Sequence, residues 1–99
     1  MYIINISVKD GISKERHDEL FSEHSSWFKR FFDEKKFLML GPYTDTNKPS
    51  GVIFAVTNSR EELDEILKQD SYYPDLATYE IREFSPKMIS DDFVKSAVK

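Results

Sequence analysis

Residues 2–40 read YIINISVKDGISKERHDELFSEHSSWFKRFFDEKKFLML, and their hydrophobic period changes twice. Over 2–9, Tyr2, Ile4, Ile6 and Val8 alternate with Ile3, Asn5, Ser7 and Lys9, the period of a half-buried strand. Asp10-Gly11 ends that strand. Ser13 then stands as an N-cap, with Glu15 in the favourable first turn. Residues 14–35 follow without an internal proline or glycine, as a helix. The run 37–40, stopped by Gly41-Pro42, returns to strand character. A strand, a helix and a second strand in this order define a β-α-β start.

The remainder repeats the pattern. Residues 44–50 are polar and include Pro49, as expected of an exposed hairpin loop, and strand character resumes over 51–57. Ser59-Arg60-Glu61-Glu62 is a capping box that opens a second helix burying Leu63, Ile66 and Leu67 and stopping near Gln69. Residues 70–75 form a turn with an aromatic anchor, and 78–84 alternate as a last strand. Ser90, Asp91 and Asp92 are placed to cap a short helix reaching Val98. The order β-α-β-β-α-β predicts an α+β, ferredoxin-like domain over 1–87, followed by a tail over 88–99. Its four-stranded antiparallel sheet carries both helices on one face. Tyr2, Ile53, Phe84 and residues 37–40 are too many to bury under two helices. An open, partly apolar sheet face is therefore expected, which invites a homodimer packed sheet on sheet.

Composition narrows the function. With 99 residues there is room for one domain, and a domain of that size has a thin stability margin that self-association would widen. The net charge of −4 argues against nucleic acid as a partner. No apolar run approaches a membrane span and no signal-peptide pattern opens the chain, so a cytoplasmic protein without membrane contact is expected. The absence of cysteine removes disulfides, thiolate nucleophiles and sulfur-ligated zinc. The glycines 11, 41 and 51 are isolated turn glycines, so no phosphate-binding or dinucleotide loop is present and no cofactor is implied.

The two histidines carry what chemistry the sequence offers. On a helical wheel with Leu20 at the origin, Trp27 falls at about −20°, Phe31 at about 20°, His24 at about 40° and His17 at about 60°. Phe28, Phe21 and Phe32 follow at about 80°, 100° and 120°. Both imidazoles thus lie inside an aromatic stripe that faces the sheet. Such a ring is either a core histidine with satisfied nitrogens or an acid/base group on the floor of a pocket. His17 lies nearer the helix start, which leaves His24 as the stronger candidate. A pair spaced i, i+7 is no recognisable metal site. Tyr43, Tyr72 and Tyr73 can serve as packing or as ligand contacts.

The ordered set of His24, Gly41-Pro42, Gly51, Ser59, Asp70 with Tyr72 and Tyr73, Tyr79-Glu80-Ile81 and Phe84-Ser85-Pro86 resembles the YCII-related family of the dimeric α/β barrel superfamily. Where that family carries proline after the aspartate, this chain has Ser71. The resemblance implies a protomer that dimerises through its sheet, with a His–Asp pair in a pocket at His24 and Asp70. It places no role on His17. With one imidazole nitrogen on a carboxylate, the other can move a substrate proton, which suits a lyase or isomerase acting on an unidentified aromatic or cyclic small molecule. Tyr43, Tyr72 and Tyr73 would then be substrate contacts. The other reading is a non-catalytic dimeric module that binds a small metabolite or serves only as structure.

Overall fold

A computed structural model describes residues 1–98; residue 99, the end of the expected tail, lies outside the described residues. The elements run β1 (Tyr2–Val8), α1 (Lys14–Asp33), β2 (Phe37–Pro42), β3 (Ser50–Ala55), α2 (Arg60–Leu67), β4 (Ala77–Glu83) and α3 (Phe93–Ala97). The strands form one antiparallel sheet in the order β2-β3-β1-β4. This α+β arrangement is compatible with a ferredoxin-like fold.

Register sorts the side chains by face, because directly opposed residues of an antiparallel pair point the same way. Ile4 lies opposite Ile53 and Ile81, and Ile6 opposite Gly51 and Tyr79. This face carries the core. Tyr2, Ile4, Ile6, Phe37, Ile53, Ala55 and Ala77 are buried there against Leu20, Trp27 and Phe31 of α1 and Leu63, Ile66 and Leu67 of α2. On the reverse face Ile3, Met39, Val52, Phe54 and Phe84 are only partly covered. Tyr2 and Ile53 therefore go under the helices, and the surplus that reaches the open face is Met39 and Phe84. The run 37–40 divides because the register shifts between Phe37 and Met39. An extra residue at Leu38 leaves both Phe37 and Leu40 on the helix-covered face, the usual effect of a β-bulge.

The helix ends follow their local chemistry. Ser13 accepts from the Arg16 amide, and Ser59 accepts from the Glu62 amide. The Glu62 carboxylate reaches back to the Asn58 amide at 2.8 Å, one residue before the cap, and this bond together with Lys36 holds its carboxyl below the ordinary range. α1 ends two residues before the expected limit because Lys35 adopts φ 63°, in the left-handed region. The Lys35 amide donates to Phe32 and the Lys36 amide to Phe31, closing a Schellman motif. α3 differs from expectation in that its cap makes no side-chain hydrogen bond, and residues 85–98 are exposed almost throughout.

At Gly51 a Cβ would stand 2.7 Å from the Gly41 carbonyl oxygen, whereas at Gly41 it would meet nothing within 4 Å. The β2–β3 pair is thus closed over Gly51. We expect Gly51→Ala to cost about 1–3 kcal/mol through overpacking, and Gly41→Ala less than about 1 kcal/mol, both read from urea unfolding midpoints. Lys35→Gly should stabilise the fold by about 1 kcal/mol by relieving the left-handed residue; no gain in midpoint would contradict this account of the helix end.

Candidate functional site

Three of the contacts that fasten the second half of the chain onto α1 fall one helical turn apart. The Trp27 indole N–H donates to the Ile66 carbonyl at 2.9 Å, tying α1 to α2. The Ser71 hydroxyl donates to the Leu20 carbonyl at 2.6 Å, a bond that proline could not make. Between them His24 Nδ1 meets Asp70 Oδ1 at 2.5 Å. Leu20, His24 and Trp27 are spaced i, i+4, i+7, so they share one face, and residues 66–71 are laid along that face. The end of α2 brings Asp70 to the middle of α1 in this way.

The pair is deeply enclosed. His24 is 6% exposed and Asp70 3%. A lone carboxylate at such a depth is costly, and it is tolerated when both oxygens are bonded. Asp70 meets that condition, since Oδ1 accepts from His24 and the Tyr79 hydroxyl donates to Oδ2 at 2.5 Å. Around the imidazole stand Phe28, Tyr72, Trp27 and Phe21, with ring centroids at 4.1, 5.1, 5.6 and 6.0 Å. Burial first, and then its bond to Asp70, pushes the Tyr79 phenol far above the ordinary tyrosine range. Tyr72 is raised by burial and by the nearby Asp70 and Asp18 carboxylates.

His24 also borders a cavity of about 320 Å³ between α1 and the β2–β3 hairpin. Residues bordering it include Ile6, Val8, Phe21, Phe28, Leu40 and Pro49, with Gly41, Ser50 and Gly51 at the hairpin, and His24. Among the described residues Nε2 of His24 has no hydrogen-bond partner, yet no fully buried side-chain nitrogen or oxygen there lacks one. Nε2 therefore keeps accessible surface, and the cavity is where His24 offers it. With Nδ1–H committed to the carboxylate, a neutral ring presents a lone pair there.

The expected residues divide. His24 and Asp70 are brought together. The three tyrosines expected as substrate contacts are not among the residues that line the His24 cavity. Tyr43 lies at the open sheet face, its hydroxyl donating to Asn5. Tyr72 is wholly buried in the core, where its hydroxyl lies 3.0 Å from His17 Nδ1. Tyr73 lines a separate groove, together with Tyr79. Their aromatic clustering in sequence is resolved into three different environments. His17 is half-buried at the start of α1 and outside the cavity lining.

From sequence Tyr79 is only a mark of the family resemblance, with no role at the site. The alternation of the last strand places Tyr79 with Ala77 and Ile81 toward the helices, where a buried phenol needs a partner, so a signal existed. Among the described residues no group of three or more histidines or acids could hold a metal. Among the described residues no helix is long and apolar enough to cross a membrane. A scan against models of protein families finds no match, and a search of curated proteins likewise finds none.

The fold holds the Tyr79 proton more tightly than the unfolded chain does. Its contribution to stability is complete below about pH 10, the ordinary tyrosine value, and is lost as pH rises above it. We expect phenolate absorbance from Tyr72 and Tyr79 to appear only as the protein unfolds in alkali. Tyr79→Phe should flatten the loss of stability above pH 10. Ionisation of both phenols in the folded protein would contradict the hydrogen bonding described.

Proposed function

We propose that this chain is a cofactor-independent proton-transfer catalyst of the lyase or isomerase type, acting on a small cyclic molecule held in the cavity beside α1. The observation that carries the reading is a buried imidazole with one nitrogen fixed by a carboxylate, on a residue that borders an apolar cavity. His24 Nε2 would take a proton from a carbon next to a substrate carbonyl, and the C–H electron pair would pass into an enolate. The imidazolium would then return the proton to another carbon of the same molecule. Asp70 keeps the proton on Nδ1, orients the ring and stabilises its charged form. Tyr79 is a positioning residue, acting only through Asp70.

The same reading takes the protomer as a YCII-related subunit, located in the cytoplasm, that pairs with a second copy through its open sheet face into a dimeric α/β barrel. Ile3, Met39, Val52, Phe54 and Phe84, partly exposed on that face, support the pairing. A non-catalytic module is the competing reading. It is favoured by the complete satisfaction of Asp70 inside the protein, because a buried polar network can serve packing alone.

Isomerisation of cyclohex-3-enone to cyclohex-2-enone separates the two. The proton leaves C2 and is delivered to C4, with no redox partner required. Turnover should exceed that of free imidazole. His24→Ala should lower it by about 10²–10⁴-fold, the usual scale of a general base. Asp70→Asn should lower it at least about tenfold through loss of ring orientation, and His17→Ala should leave it unchanged. Equal turnover in wild type and His24→Ala would remove the catalytic reading.

A further inference from the structure

The chemistry of the cavity walls restricts what His24 can meet. Among the described residues no lysine, arginine, aspartate or glutamate lines the cavity. The Ser50 hydroxyl already donates to the Lys48 carbonyl at 3.2 Å, so its proton is engaged. The polar group left to meet a ligand is Nε2 of His24, on a side chain more than nine-tenths buried. The His24–Asp70 pair carries one negative charge when the ring is neutral and none when it is protonated. In neither state does it provide the net positive charge that would offset the desolvation of an anion in apolar walls. Carboxylates and phosphates are thereby disfavoured. A neutral imidazole whose Nδ1–H is committed accepts a hydrogen bond at Nε2, so the matching ligand group is an O–H donor.

We propose that the site selects uncharged molecules of one or two rings bearing a single hydroxyl, phenols or cyclic enols, seated with the O–H on His24 Nε2 and the ring against Phe21, Phe28 and Leu40. Size agrees with this class. The cavity of about 320 Å³ is roughly twice an engineered apolar cavity that holds one benzene. A cyclic enol is also the neutral, protonated form of the enolate that proton abstraction from a ring ketone creates. The inference therefore deepens the proton-transfer reading and rests on its placement of Nε2.

Three probes with a common methylated ring test it: p-cresol, p-xylene and 4-methylbenzoate, titrated into the full chain and followed by amide chemical shifts of the cavity residues. The expected order is p-cresol tighter than p-xylene by about threefold to tenfold, the worth of one net hydrogen bond, with 4-methylbenzoate weakest. The nitrogen-15 resonance of Nε2 should move on saturation with p-cresol and stay in place with p-xylene. This measurement needs no variant, and it covers the case in which His24→Leu fails to fold. In a folded His24→Leu the preference of p-cresol over p-xylene should vanish.

Binding of 4-methylbenzoate as tight as that of p-cresol would overturn the proposal, as would an unmoved Nε2 resonance or no binding by any probe. The two readings fail separately. Enone isomerisation together with tight carboxylate binding would leave proton transfer standing and remove the hydroxyl selectivity. The cresol preference without isomerisation would do the reverse.

Discussion

The arrangement depends on a carboxylate placed where water does not reach. Asp70 is almost fully buried, and an unpartnered charge at that depth would cost more than the stability of most small domains. The fold tolerates it because two groups from distant parts of the chain arrive on its two oxygens, His24 from the first helix and Tyr79 from the last strand. Each of these has its own reason to be inward-facing. His24 lies on the stripe that holds Leu20 and Trp27, and Tyr79 lies opposite Ile6 in the sheet. The carboxylate thus links helix, connecting turn and sheet at one point, and the geometry of the site is inherited from the packing of the core.

The contacts on either side of the pair show why the position is reproducible. Ile66 and Ser71 bracket Asp70 in sequence, and their bonds to Trp27 and Leu20 bracket His24 on α1. A rotation or slide of α1 that separated the imidazole from the carboxylate would break these neighbouring bonds as well. Placement of a working group by several independent restraints keeps the reorganisation cost low when a ligand arrives.

The element order was legible from period and caps alone, because strands with one buried face and helices with serine caps leave local signatures. Ser13 and Ser59 cap where expected. What escaped local reading was set by non-local pairing. The extra residue at Leu38 is a property of the β2–β3 register, and the early end of α1 is set by a left-handed Lys35 that nothing in its composition announces. The site divides along the same line. His24 could be placed on the inward stripe from helical geometry, whereas its partner Asp70 is 46 residues away and came only from a family likeness. Proximity in sequence is a poor guide around a turn. Tyr72 and Tyr73 are neighbours in the chain, yet one is wholly buried and the other 38% exposed.

The hairpin closed over Gly51 separates two tasks within a small protein. The groups able to move a proton belong to α1, the turn after α2 and β4. Much of the cavity wall belongs to the β2–β3 hairpin, including Leu40, Pro49 and Ile53. None of these three touches Asp70 or its partners by a hydrogen bond. The shape of the cavity can therefore drift from one descendant to the next through substitutions on the hairpin while the His24–Asp70–Tyr79 arrangement is left intact. Such a scaffold can exchange ligands over evolutionary time without rebuilding its reactive centre.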